Sequence, residues 1–299
     1  MDRKDVLKLT EENKDKEIKK VEGEKEQENK ENNEESDKDE QSEEELKKQL
    51  NTTYKFLKKN YIIIILLLLL GFGFYLRFYH SDYPVIGYHN WKETHYLTEA
   101  RNYAKHGFFY EGFLVPHWDY PSYDGPISGA HGDSFPTTSI IVGIFFKLFG
   151  PSLMIARTIS ILFVLAAIIF AYFFVNEISG NKNLALVTAA IMTINPLLVF
   201  FGRQVQLINP ALFFGLFGLY FYYKWIKKPT YKNLILFSIG ITLCVITKYP
   251  NALIGIPMAA IFPYNRIFNK EKLKKFWKQF LIFLIIFGMI FAWLVYTSF

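Results

Sequence analysis

Long uncharged apolar runs recur along this chain of 299 residues, and they limit its fold more than any other feature. Each run has about the 17–25 residues that an α-helix needs to cross a bilayer, one being slightly short. The sequence therefore predicts an all-α polytopic membrane protein with about seven transmembrane helices, which excludes a soluble enzyme. The runs lie at residues 61–76, 158–176, 183–202, 204–223, 233–247, 249–265 and 279–299.

Charge is divided unevenly between the two parts of the chain. Residues 1–50 carry 12 Lys/Arg and 19 Asp/Glu, a net charge of −7, whereas the remaining residues carry a net charge of +13. A segment so rich in Glu, Lys, Asn and Gln cannot bury enough apolar surface to become ordered. We expect a disordered, charged cytoplasmic tail over residues 1–57 and a transmembrane domain over residues 58–299. Partner binding by the tail is the alternative.

The basic residues indicate how the chain is oriented in the bilayer. Lys55, Lys58 and Lys59 precede the first run and place the N-terminus in the cytoplasm. The apolar stretch Thr137–Phe149 is too short to cross and fits an interfacial helix. With that assignment, ten Lys/Arg in the linkers 224–232 and 266–278 face the cytoplasm. Membrane topology thus explains the basic loops, so we expect no nucleic-acid binding. The single cysteine, Cys244, lies inside an apolar run, so we expect no disulfides.

This orientation puts residues 80–150 outside the cytoplasm, where we expect the chemistry. All six histidines of the chain lie between residues 80 and 135, together with seven of the nine acidic residues outside the tail. Proton transfer requires such side chains. The alternative is that a water-exposed loop is simply where charged residues can be accommodated.

A helix is predicted over residues 91–106 of this loop, with Asn90 as its N-cap and Gly107 as its stop. With Thr137–Phe149 it makes two interfacial helices. Glu93 follows Asn90 by three residues, so it fits a capping box as well as it fits a catalytic acid. Between residues 108 and 133 the chain is aromatic and irregular, which is uncommon for a long loop without a function. The pairs His117/Asp119 and His131/Asp133 leave a divalent metal as an alternative, although no cofactor is required.

Several motifs occur in an order that resembles a known group of enzymes. They are His89-Asn90-Trp91-Lys92-Glu93-Thr94-His95 continuing to Ala100-Arg101-Asn102, Phe135-Pro136, Lys147-Leu148-Phe149-Gly150, Arg157, Pro196, Gly202-Arg203, and Thr247-Lys248-Tyr249-Pro250. Together they resemble GT-C superfamily glycosyltransferases, in particular the protein O-mannosyltransferase-like family, which includes the lipid A aminoarabinose transferases. The resemblance implies an extracytoplasmic loop that binds substrate through His89, Asn90, Trp91 and His95.

The resemblance also implies a mechanism. Such enzymes move a sugar from a polyprenyl- or dolichyl-phosphate carrier to a protein, lipid or glycan acceptor, and an acid at the start of the first loop's helix acts on the acceptor hydroxyl. Glu93 occupies that position here. This chain has Lys92 and His95 where many relatives have further acids, so Asp133 or Asp119 are expected to share the work. Relatives usually continue with more spans, so we expect either a shortened member of the family or, more in line with the pattern, a chain whose C-terminal part is missing.

Arg203 and Lys248 are predicted at the outer interface, where they would hold the donor phosphate as it leaves, with Tyr249 beside them. The alternative is that both cations are interfacial side chains reaching for water. An in-line attack by the acceptor predicts inversion at the anomeric carbon. A transporter or flippase for lipid-linked sugars is the rival function, and a multi-pass prokaryotic plasma membrane is the expected location. The sequence leaves the sugar, a hexose or a pentose, and the acceptor open.

Overall fold

The computed structural model describes residues 48–87, 90–108, 134–264 and 270–297, and it divides the chain into two compact units, Met1–Tyr61 and Ile62–Phe299. In the first unit the described residues belong to helix α1. Residues 1–47 of the predicted disordered tail, 1–57, and residues 109–133 of the aromatic segment lie outside the described residues, whereas residues 48–57 belong to α1.

Every regular element in the described ranges is helical, as predicted. The helices are α1 (Lys48–Phe78), α2 (Asn90–His106), α3 (Thr137–Phe149), α4 (Leu153–Ser179), α5 (Lys182–Ile194), α6 (Pro196–Arg203), α7 (Ile208–Lys227), α8 (Tyr231–Thr247), a 3-10 helix (Tyr249–Ile254), α9 (Gly255–Ala260), α10 (Lys270–Phe287) and α11 (Met289–Thr297). The bounds of α3 agree with the prediction, and α2 begins one residue earlier than predicted.

Local chemistry explains where several helices begin and end. Gly107 and Gly180 follow α2 and α4 with φ of +104° and +67°, a region that glycine enters without a steric penalty. The Asn181 side chain accepts hydrogen bonds from the backbone N–H groups of Asn183 and Leu184 at the start of α5. At the start of α8 the Thr230 hydroxyl accepts from the N–H of Asn233 in the same way.

The second unit is built around contacts of α4 with α5 and α7, of α7 with α8, and of α2 with α3. Small residues allow the closest of these approaches, since a Cβ on Gly240 would lie 2.8 Å from the Cα of Gly218. The aliphatic side chains of Ile161, Ile168 and Leu186 lie in the core between α4 and α5. Ala100, Val142 and Ala156 form the core among α2, α3 and α4.

Three described helices are long and apolar enough to cross a membrane, namely α1, α4 and the segment Trp277–Thr297. The bent pair α5–α6 would make a fourth. The membrane character is thereby supported, whereas the count of seven stays a prediction. Residues 249–264 form a 3-10 helix and a short α-helix instead of one continuous helix, because Pro250 and Pro257 interrupt the backbone hydrogen bonding.

Candidate active site

Glu93 and Arg157 form a buried ion pair between α2 and α4. Arg157 donates from Nε to Glu93 Oε1 and from Nη2 to Glu93 Oε2, and both donor–acceptor distances are 2.9 Å. The side chains of Arg157 and Glu93 are 7% and 3% exposed. Bidentate pairing fixes the relative orientation of the two groups as well as their distance. The first turn of α2 is therefore fastened to the start of α4.

Arg157 also holds the segment that connects α1 to α2. Its Nη1 donates to the carbonyl oxygens of Ser81 and Tyr83, at 2.9 Å and 2.6 Å. A buried guanidinium requires acceptors for its several donors, and these four bonds supply them. Arg157 thus organises the entry to the loop as well as its first helix.

The carboxylate of Glu93 has a third partner, the connection between α6 and α7. The backbone N–H of the buried Val205 donates to Glu93 Oε1 over 3.1 Å. Val205 comes two residues after Arg203, with which α6 ends. One hydrogen bond therefore links the predicted catalytic acid to the segment that carries the predicted phosphate-binding arginine.

Arg203 is half-buried, and its guanidinium lies 5.8 Å from the ring centroid of Phe200. Beyond it, the buried Asn209 donates from Nδ2 to the carbonyl oxygens of Phe201 and Gln204, at 3.0 Å and 2.9 Å. The Phe201 carbonyl also accepts from the backbone N–H of Gln204, so two donors close the end of α6. Asn209 therefore stabilises the turn that follows Arg203.

Lys248 directly follows α8, and Tyr249 begins the 3-10 helix. Burial lowers the pKa of Lys248, and the positive charge of nearby Lys92 lowers it further. Lys92 precedes Glu93 in α2, so Lys248 and the start of α2 share one region. Two ammonium groups close enough to disfavour each other's charge would gain from an anion placed beside them.

The end of α8 is fastened to the start of α3. The Thr137 and Thr247 hydroxyls form a hydrogen bond of 2.7 Å with each other. The backbone N–H of Phe135 donates to the carbonyl oxygen of Ile246 at a distance of 3.1 Å. Because α3 packs on α2, these bonds also connect Lys248 to the helix that carries Glu93.

A second buried acid, Glu99, lies on a different face of α2. The Ser139 hydroxyl donates to Glu99 Oε2 at a distance of 2.5 Å, and His95 Nε2 lies 3.0 Å from Glu99 Oε1. Burial, and after it the negative charge of Glu99, raises the pKa of Tyr103. Sequence reasoning gave Glu99 no particular role, although its spacing of four residues from His95 was a usable signal.

The other predicted site residues are distributed unevenly. Trp91 is exposed, and Asn90 begins α2 instead of preceding it. His89, Asp119 and Asp133 lie outside the described residues, as do both His-x-Asp pairs. Within the described ranges, no group of three His, Cys, Asp or Glu side chains is placed to hold a metal ion.

Comparisons with known proteins identify a family and a relative of this chain. The family described as dolichyl-phosphate-mannose-protein mannosyltransferase matches residues 67–299. An uncharacterized protein of Aquifex aeolicus is 25% identical over 219 residues, which cover 73% of this chain and 40% of that protein. The chain therefore spans well under half the length of that relative. No solved structure matches the chain.

Proposed function

Because the chain belongs to the dolichyl-phosphate-mannose-protein mannosyltransferase family, we propose that it is a membrane glycosyltransferase. In this proposal it moves a sugar from a polyprenyl- or dolichyl-phosphate donor to an acceptor outside the cytoplasm. The observation that carries the proposal is the contact of Glu93 with both Arg157 and Val205. It joins the acidic start of α2 to the segment that bears Arg203.

The donor phosphate is assigned to Arg203, Lys248 and Tyr249. Arg203 ends α6, and Lys248 follows α8 next to the charge of Lys92. A lipid tail between helices would bring its phosphate to this cationic region. Positive charge there would stabilise the phosphate as the glycosidic bond breaks, which is where the transition state gains negative charge.

The general base is assigned to an acid of the first outer loop. Three of the about four lone-pair sites of the Glu93 carboxylate already accept hydrogen bonds from Arg157 and Val205, which leaves about one for a proton. These contacts support a positioning role for Glu93 in the free protein. We therefore assign proton removal to Asp119 or Asp133, with Glu93 as the acid that fixes α2 beside Arg203.

The proton and the leaving group then follow separate routes. The acceptor hydroxyl gives its proton to the loop carboxylate while its oxygen bonds to the anomeric carbon. The bond from that carbon to the phosphate oxygen breaks on the opposite face, and the lipid phosphate keeps the electron pair. Configuration at the anomeric carbon is inverted, and no nucleotide-binding motif is needed.

The rival function, a transporter or flippase for lipid-linked sugars, has one observation in its favour. The α5–α6 pair bends by 59° at its break, and broken helices occur at the binding sites of many transporters. In this chain Arg77 donates to the carbonyl oxygens of Met192 and Thr193 at the break. Acceptors already used by the protein are poor ligands for a transported substrate, and the family supports the transferase.

A transfer assay distinguishes the two functions. Membranes that contain the chain would be incubated with radiolabelled polyprenyl-phosphate mannose and then extracted with organic solvent. A transferase moves label from the donor into protein or glycan, which the solvent leaves behind, or into another lipid, which thin-layer chromatography of the extract separates from the donor. A flippase leaves all of the label in the unchanged donor, and that result would refute the proposal.

A further inference from the structure

The apolar segment that follows α4 is broken where a proline interrupts it. Helix α5 ends at Ile194 and α6 begins at Pro196, and the two helices form an angle of 59°. Pro196 has no N–H, so it cannot donate to the carbonyl oxygen of Met192, four residues earlier. In an apolar environment an unpaired carbonyl is costly, so the break requires another donor.

Arg77 of α1 supplies that donor. Its Nη2 donates to the carbonyl oxygen of Met192 and its Nη1 donates to the carbonyl oxygen of Thr193, each at a distance of 3.2 Å. Nη1 also donates to the carbonyl oxygen of Gly73 over 2.9 Å. The end of α5 carries the partial negative charge of a helix C-terminus, which favours a cation there.

Arg77 is fully buried, and in the described part of the chain no carboxylate pairs with it. Burying a charge without a counter-ion costs free energy, so a buried arginine of this kind is expected to have a specific structural or functional role. The carbonyls of the break explain only part of the arrangement, because Arg77 Nε has no hydrogen-bond partner among the described residues. That edge of the guanidinium faces α6.

Gly202 is the point where Arg77 touches α6. A Cβ on Gly202 would lie 3.0 Å from Arg77 Nε and 3.4 Å from Arg77 Cδ. Gly73 makes room in the same way, since a Cβ there would lie 3.3 Å from Arg77 Nη1. Arg77 therefore contacts the break before α6 and also the last residue before Arg203.

We propose that Arg77 is a positioning residue that sets the angle of α6 against α5 and thereby the location of Arg203. The proposal rests on the phosphate role of Arg203 given above. Helix α6 has eight residues, so it is about 12 Å long, and a change of about 10° in the bend would move Arg203 by about 2 Å. Misplacement of a positioning group by about 1 Å can change a rate about 100-fold.

The first measurement is a distance that does not depend on activity. Spin labels would be attached at Leu184→Cys, an exposed position near the start of α5, and at Phe200→Cys, a half-buried position in the second half of α6, in a Cys244→Ala background that removes the one native cysteine. Arg77→Met is expected to shift or broaden the distance distribution measured by pulsed electron paramagnetic resonance. Lys182→Met, at the exposed opposite end of α5, is the matched control and should leave it unchanged. An unchanged distribution in Arg77→Met would overturn the proposal.

The second measurement is the kinetics of sugar transfer. Arg77→Met is expected to raise the KM for polyprenyl-phosphate mannose about 10- to 100-fold, and kcat should fall as well because a displaced Arg203 stabilises the leaving phosphate less. Arg77→Lys should recover part of the loss, because one ammonium replaces the charge but not the fork of donors. A KM and a kcat that are both unchanged in Arg77→Met would overturn the link to Arg203.

Gly202→Ala keeps the charge of Arg77 and displaces its side chain, so it tests the same contact if Arg77→Met does not fold. It should shift the same distance and raise the same KM; if it does neither, the proposal is wrong. If the wild-type chain transfers no sugar, the proposed function fails by itself. The distance measurement then still decides whether Arg77 sets the bend.

Discussion

Arg157 donates two parallel hydrogen bonds of 2.9 Å to the carboxylate of Glu93, and both side chains are almost completely buried. The two residues are 64 positions apart in the sequence. Through this pair α2 is fixed to α4, and through Val205 it is fixed to the segment after Arg203. The ion pair therefore holds together the helices that form the candidate site.

Removing one partner of this pair should destabilise the protein. Glu93→Gln leaves the Arg157 guanidinium buried without a counter-charge, which typically costs about 3–5 kcal/mol. Glu177→Gln is the matched control, because Glu177 and Lys227 form an exposed pair at 3.1 Å, worth about 0–1 kcal/mol. Unfolding in detergent micelles would measure both, and equal losses would contradict the structural role of the buried pair.

The base assignment predicts which acid controls the chemical step. Asp119→Asn or Asp133→Asn should lower kcat by about 100- to 10,000-fold with the free energy of unfolding unchanged. Glu93→Gln should lose transfer together with stability, since it releases α2. If Glu93→Gln kept its full stability and still lost only kcat, Glu93 itself would be the base.

Arg203→Ala should chiefly weaken the use of the donor. Losing a hydrogen bond to a charged group costs about 1.5–3 kcal/mol, which corresponds to an increase of about 10- to 150-fold in the donor KM. Arg101→Ala, at an exposed arginine of α2, provides the comparison of equal charge change. A donor KM that is the same in Arg203→Ala and in the wild type would reject the phosphate role.

Donor binding should also depend on pH through Lys248. Burial and the charge of Lys92 lower the pKa of Lys248, and only the protonated amine attracts phosphate. Affinity should therefore fall as pH rises through this lowered pKa, before an ordinary lysine would lose its proton. Lys92→Gln removes one of the two causes, so the fall should move to higher pH. If the fall stays at the same pH in Lys248→Arg, Lys248 is not the titrating group.

The sequence predicted those parts of the fold that depend on local pattern. Helix α3 has the predicted bounds because a short apolar stretch lies between Pro136 and Gly150, and both residues limit a helix. Family membership was predicted from the order of motifs, and the family match confirms it. The break before Pro196 was missed because residues 183–202 read as one uniform apolar run.

The pairing in the site could not be predicted from spacing. Glu93 and Arg157 lie on different helices, and only the packing of α2 and α4 brings them together. A signal was nevertheless present, because an arginine beside a long apolar run requires acceptors and only nine acidic residues lie outside residues 1–50. The same reasoning applies to Arg77, whose partners are backbone carbonyls and leave no mark in the sequence.

The proposed function requires that the loop after α1 lies outside the cytoplasm and that the N-terminus lies inside it. In a Cys244→Ala background, Ile86→Cys and Tyr54→Cys place single exposed thiols before α2 and near the start of α1. In intact cells a membrane-impermeant maleimide should label the thiol at position 86 and should reach the thiol at position 54 only after permeabilisation. Protection of both thiols in intact cells, or labelling of position 54 alone, would contradict the account.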